Sequence, residues 1–332
     1  MKLKIHASPK SLIYTGNHPN VPTEIIHYQF DQTETIITDS FKPENDKNHY
    51  IQVVGLNDIA TIQSLKQYYA VDPLILEDIF NVNQRNKIEI KPNYIFGVIH
   101  LEYLFDDSIH SDYMSFLMFK DTLITFHESH PRYLVPLTDY FQEKCGETID
   151  YILFLCLDII TDQHIAVYDK IENNLSEYEE QILESKSIEQ ESFYGTRKHL
   201  LKLKNTVYPT LEQLERALEK SVLFLPKNKG FYDDLVDHLK RLDNQINQAR
   251  EMVRHLLDLQ INNQSNTMNR IMTTLTLFSA IFIPLSFLTG FFGMNFVYFE
   301  ILAYEHALAV FIGLCFTLSG FMVLLFKLMK WF

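Results

Sequence analysis

The spacing of apolar positions changes twice along this chain. Up to about residue 145, apolar residues come in short β-branched or aromatic runs broken by Pro, Asn, Asp and Gly. Runs at 11–16, 23–30, 34–41, 50–56, 87–90, 94–101, 112–119 and 122–127 predict strands. Segments 59–69, 73–81 and 132–144 predict helices. Residues 1–145 are therefore expected to form an α/β domain.

Beyond this point the punctuation nearly disappears. Between Gly146 and Gly290 the breakers are Gly195, Gly230, Pro209, Pro226 and Pro284. Long helices follow, forming a stalk over residues 146–270. Ser187 and Gln190 have capping-box spacing at one helix start. A turn at residues 225–230 precedes the last long helix. On it, Leu235, Leu239, Leu242, Ile246, Ala249, Val253 and Leu256 step by four and three, an apolar heptad seam.

The second change is a loss of charge. Residues 271–292 and 307–326 contain no Asp, Glu, Lys or Arg. Each run is about 20 residues, enough to cross ~30 Å of hydrocarbon at ~1.5 Å per residue. Two transmembrane helices are expected, joined by a loop at 293–306 and followed by a basic tail at 327–332. The loop lacks Lys and Arg and carries Glu300 and Glu305, whereas Arg254, Arg270, Lys327 and Lys330 flank the spans. The positive-inside rule then makes both termini cytoplasmic and the loop external, as in a cell (inner) membrane protein.

One stripe crosses the second boundary unbroken. Asp258, Asn262, Ser265, Asn269, Met272, Thr276, Ser279, Ile283, Ser286 and Gly290 alternate steps of four and three. Most are polar or Gly, over an axial length of roughly 48 Å. Polar groups on an apolar helix avoid lipid. Such a stripe serves either a polar pathway or close helix packing. Two spans per chain cannot enclose a channel, so the first use requires an oligomer.

Composition narrows the candidates. The 332 residues carry 29 Lys and Arg against 42 Asp and Glu, a formal charge of −13. That balance excludes a nucleic-acid partner, whose phosphates need clustered cations, and is compatible with divalent cations. Cys145, Cys156 and Cys315 show no metal-ligand spacing, and residues 1–11 have no apolar core of a signal peptide. No P-loop, Gly-x-Gly-x-x-Gly or His-Glu-x-x-His pattern is present. The expectation is a non-enzyme that uses no nucleotide.

The residues at the end of the first span are more specific. Gly290-Phe-Phe-Gly-Met-Asn-Phe296, with Met268-Asn-Arg-Ile-Met272 and Ile281-Phe-Ile-Pro-Leu285 before it, resembles the CorA magnesium transporters. Asp72-Pro-Leu-Ile-Leu-Glu-Asp-Ile79, Asn83–Glu89, Tyr208-Pro209 and Leu256-Leu-Asp-Leu259 resemble the same family. Val297 stands where many members have an acid, and Ile283 where Met is more usual.

The resemblance implies a funnel-shaped homopentamer with a cytoplasmic α/β domain, the first span lining a pore and the second facing lipid. It implies passive influx of hydrated Mg²⁺, with Co²⁺ or Ni²⁺ as further cargo. It also implies closure by intracellular Mg²⁺ bound between subunits at Asp78 and Asp234. Gly293, Met294 and Asn295 form the selectivity mouth, where amide oxygens bond the ion's waters, Gly293 permits a sharp reversal, and helix C-termini add partial negative charge. Asn295 is otherwise an ordinary helix cap. Glu300 and Glu305 concentrate cations. Ser286, Ser279 and Thr276 offer uncharged oxygens. Ile283 and Met272, with Leu275 beside them, form apolar constrictions that gate by dewetting. Asn269 and Asp258 place polar and acidic rings towards the cytosol. The alternatives are a related transporter mainly of Zn²⁺ or Co²⁺, and a membrane-anchored metal sensor without transport.

Overall fold

The computed structural model describes residues 13–329 apart from 32–33, 41–42, 44–45, 144–146, 185, 187 and 295–304. The chain divides into two compact units, Met1–Arg254 and His255–Phe332.

The first unit is built on a seven-stranded sheet with order β2-β1-β3-β7-β6-β5-β4. Its strands are β1 (Glu24–Phe30), β2 (Thr35–Thr38), β3 (Asn48–Val54), β4 (Lys87–Ile90), β5 (Ile95–Phe105), β6 (Ser108–Met118) and β7 (Thr122–His127). Neighbours are antiparallel except β3 and β7. That parallel pair needs a long connection. Helices α1 (Ile59–Ser64) and α2 (Pro73–Phe80) and strands β4 to β6 provide it.

Three strand predictions are corrected. Residues 13–16 form no strand. The Tyr14 hydroxyl donates to Glu128 and the Thr15 N–H to the Phe80 carbonyl, so this segment is held by isolated bonds rather than by a ladder. β5 and β6 run to Phe105 and from Ser108, longer than predicted. Asp106 and Asp107 both take positive φ, 47° and 57°, the geometry of a two-residue hairpin turn. Asp tolerates it without glycine.

Both sheet faces are covered. Asp72 caps α2 by accepting the Leu74 N–H at 2.9 Å, and Pro73 presets the first turn. This helix buries Ile75, Leu76, Ile79 and Phe80 with Ile51, Val53, Phe96, Val98 and Phe126 of the sheet. Each such side chain contributes about 1.5–3 kcal/mol. On the opposite face, Tyr28 and Tyr50 stack on Phe141 of α3 (Val135–Glu143), with centroids 4.7 and 5.5 Å away. Helix α4 (Ile149–Leu183) packs beside them. By length and composition alone it could span a membrane. Its apolar window is 56% buried, however, with Ile152, Cys156, Ile160 and Val167 inside, so α4 is a core helix.

Helix α5 (Gln190–Lys220) begins at Glu189, whose side chain makes no capping bond; Ser187, predicted as the cap, lies outside the described residues. Helix α6 is one element from Lys229 to Phe292. Its predicted seam is buried from Leu235 through Leu239, Leu242, Ile246 and Ala249 to Val253. Buried Asp150 of α4 fixes the turn before α6. Its Oδ2 accepts the Leu225 N–H and the Asn228 amide at 2.9 Å each, while its carbonyl accepts from the Tyr232 hydroxyl at 2.6 Å. The second unit contains the end of α6 and helix α7 (Ala307–Leu328).

Gly97 lies opposite Phe116 in the β5–β6 register, and a Cβ there would come within 2.1 Å of the fully buried Phe116 ring. Gly97→Val is expected to destabilise the protein by about 1–3 kcal/mol, read as a lower midpoint in denaturant with little change in slope.

Candidate ion pathway and acidic clusters

Within the second unit, α6 shows two faces. Its less exposed positions in the apolar half include Leu277, Ile281, Pro284, Leu288 and Phe292. The Phe292 ring meets Phe311 of α7 with centroids 5.0 Å apart. The polar stripe, at Thr276, Ser279, Ile283, Ser286 and Gly290, lies roughly 160° round the helix from that set at ~100° per residue. Apart from half-buried Ser279, these five are exposed. The stripe therefore does not serve packing of α6 on α7. Phe278 and Phe282, on the flank between, are 62% and 61% exposed.

Stripe chemistry is uncharged oxygen interrupted by carbon. The Thr276 hydroxyl donates to the Met272 carbonyl at 2.8 Å, which leaves its lone pairs free to accept. Ser279 and Ser286 make no side-chain bond as donors among the described residues. Met272, Leu275 and Ile283 are 54%, 60% and 68% exposed, so apolar side chains interrupt the same surface. Asp258 and Asn269 are exposed on the more polar part of α6. Pro284 has no N–H to give the Ala280 carbonyl, yet the helix continues through it.

The mouth differs from expectation. The Gly293 N–H still bonds the Thr289 carbonyl at 2.9 Å in helical register, and Gly293 is not among the positive-φ residues. No left-handed reversal occurs at Gly293, and the Met294 N–H reaches Phe291 at 3.3 Å. Asn295 and Glu300 lie outside the described residues, while Glu305 is exposed just before α7.

The two predicted regulatory acids have different surroundings. Asp78 on α2 is engaged within the chain: Lys87 Nζ lies 2.6 Å from its Oδ2, and the Gln84 amide donates to Oδ1 at 2.5 Å. Asp234 on α6 has a side chain 72% exposed, with His238 Nε2 3.9 Å from its Oδ2. Among the described residues, no group of three or more His, Cys, Asp or Glu side chains is arranged to hold a metal within one chain.

The structure adds acids that sequence reasoning missed. Asp158 of α4 has its carboxyl raised above the usual range, first by burial and then by Asp162; Asp234 also raises it, and His238 pulls the other way. The available signal was the Asp158/Asp162 pair at i,i+4 on one helix, which the apolar run around it masked.

A family model described as the CorA-like Mg²⁺ transporter protein matches residues 46–328. The chain belongs to the CorA family. The "Cobalt/magnesium transport protein CorA" of Thermotoga maritima is 28% identical over 97% of this chain and 96% of its own. The complete structure of the CorA magnesium transporter from Methanocaldococcus jannaschii superposes with a TM-score of 0.79, at 17% identity, over 91% of this chain and 97% of that one. It shares the fold. The "Zinc transport protein ZntB" of Photorhabdus laumondii is 26% identical over 56% of this chain and 57% of its own. CorA members are divalent-cation transporters and membrane proteins, a class distinct from enzymes. The apolar ends of this CorA chain fit that class: α6 and α7 are long and apolar enough to span, with windows 6% and 0% buried.

Because the folded state raises the Asp158 pKa, it is favoured while that carboxyl is protonated and loses that advantage as pH rises through the folded pKa. Asp158→Asn is therefore expected to raise thermal stability at pH 8 and leave it unchanged near pH 4, the gain staying below about 1 kcal/mol. Calorimetry at both pH values measures it.

Proposed function

We propose that this protein is a homopentameric channel carrying hydrated Mg²⁺ into the cell, with α6 lining the pore and α7 facing lipid. Residues 1–145 and the stalk at 146–270 lie in the cytosol, the loop at 293–306 lies outside, and the tail at 327–332 is cytoplasmic. The observation that carries this reading is the polar stripe of α6. It continues through an apolar span on the face away from α7, where only copies of itself can shield it from lipid.

The chemistry fits a hard, hydrated ion. Mg²⁺ dehydrates reluctantly, and acceptor oxygens at Thr276, Ser279 and Ser286 bond its waters without trapping it. The stripe contains no His or Cys, the ligands that favour zinc. Met272, Leu275 and Ile283 form the closing constriction, Asn295 the outer ring, and Asn269 and Asp258 the inner one. Inward movement across ~100 mV releases about 4.6 kcal/mol per ion, so no other energy source is required.

Intracellular Mg²⁺ bound between subunits at Asp78 and Asp234 stabilises the closed state by population shift. Asp158 and Asp162 add negative charge near Asp234, and Lys87 must yield its partner when Asp78 takes a metal. At a Mg²⁺ concentration ten times Kd, linkage gives about 1.4 kcal/mol of stabilisation, most of which Asp234→Asn is expected to remove; Mg²⁺-dependent melting checks this.

Transport is tested by Mg²⁺ influx into proteoliposomes under an inside-negative potential. The intact chain is expected to show potential-dependent influx that collapses in Asn295→Ala. Undiminished flux in the variant reduces Asn295 to a helix cap, and no flux in the intact chain overturns the Mg²⁺ reading.

A further inference from the structure

Strand β4 sets a cation and an acid beside α2. Lys87 and Glu89 are two residues apart on it, so their side chains share one sheet face. Their partners across the ladder are Val98 and Phe96, which belong to the core that α2 covers. Lys87 reaches α2 from there, and its Nζ lies 2.6 Å from Asp78 Oδ2. The same Nζ lies 2.8 Å from Glu89 Oε1 and 5.4 Å from the centre of the Phe96 ring. One ammonium thus bridges two carboxylates.

The surroundings of that bridge are tied down. Buried Asn86, next to Lys87, donates to Thr210 Oγ1 of α5 at 3.0 Å and accepts the His100 N–H of β5 at 2.9 Å. Lys91 Nζ stands 3.1 Å from Glu89 Oε2 and holds the second acid from its other side. The Gln84 amide occupies Asp78 Oδ1. The member free to swing is the Lys87 side chain, a point charge on a flexible four-carbon stem.

An Asp carboxylate is the hard oxygen donor that Mg²⁺ takes, but both Asp78 oxygens already have donors. An ammonium in hydrogen-bond contact with Oδ2 excludes a dication from that oxygen by charge and by space. Lys87 therefore has to leave before a cation binds. Its departure does not strand the ammonium, because Glu89 already holds it. We propose that Lys87 is a tethered competitor of the regulatory cation at Asp78, that Glu89 receives it, and that this exchange sets the Mg²⁺ concentration at which the site fills. The inference rests on the reading of Asp78 as a regulatory metal ligand. Without Lys87 the site binds more tightly. Without Glu89 the ammonium has Asp78 as its remaining carboxylate, and the site binds more weakly. Glu89 acts through Lys87 and is a positioning residue. A general field effect of the two charges would shift affinity in the same directions, but the two shifts would then add. Under exchange, Glu89 ceases to matter once Lys87 is gone.

The test is thermal melting of the purified full-length protein in detergent across a Mg²⁺ titration. Asp78→Asn serves as the baseline, so that filling of this site alone is read, and melting in EDTA reports the folding of each variant. The concentration at which the melting temperature starts to rise lies near Kd. Lys87→Gln is expected to lower it about fivefold, and Glu89→Gln to raise it about threefold. The double variant is expected to match Lys87→Gln alone to within about twofold. An unchanged onset in Lys87→Gln, or a Glu89→Gln effect as large without Lys87 as with it, overturns the proposal while leaving Asp78 a metal ligand. A Mg²⁺ response that survives intact in Asp78→Asn overturns the reading of Asp78 itself, and this inference with it.

Discussion

A divalent cation holds its water shell tightly, and hydrocarbon offers nothing to replace it. That constraint shapes the membrane part of the chain. A pathway must present oxygen without full charge, continuously, on a surface that lipid does not touch. In the proposed channel the oxygens of Thr276, Ser279 and Ser286 on α6 meet the first demand. Their position away from the face where Phe292 meets Phe311 bears on the second. One chain by itself leaves most of the stripe exposed, which is why the proposed channel is an assembly.

The first unit obeys ordinary soluble physics. Two apolar faces of a mixed sheet are covered by α2 on one side and by α3 and α4 on the other. The heptad seam from Leu235 to Val253 is buried in this unit. The Asp150 cluster fixes where α6 starts. α6 is thus an ordinary packed helix along one stretch and an apolar, exposed one along another. The change follows from its sequence, which loses charge after Arg270.

Runs, breakers and loss of charge revealed most of the architecture. The strands follow from short β-branched and aromatic runs between breakers, the seam from steps of three and four, and the two apolar spans from loss of charge. Where reading failed, local rules had met a stronger tertiary one. Residues 13–16 have strand-like composition, but single bonds to Glu128 and Phe80 hold them. β5 and β6 extend beyond their apolar runs because Asp106-Asp107 makes the turn usually signalled by Asn-Gly. At the candidate sites, spacing alone exposed the stripe. The ion pair between Asp78 and Lys87 and the approach of Asp234 to Asp158 join separate elements, which no single-sequence period reports.

The most direct test is accessibility along α6 in proteoliposomes. Single cysteines at Thr276, Ser279, Ile283 and Ser286, and at Phe278 and Phe282, are introduced into a background lacking Cys145, Cys156 and Cys315. Each is treated with a membrane-impermeant thiol reagent while Mg²⁺ influx is recorded. Loss of flux at the four stripe positions, with none at the two phenylalanine positions, is the predicted result. Equal sensitivity on both faces, or inhibition confined to Phe278 and Phe282, would contradict a water-filled path along this helix.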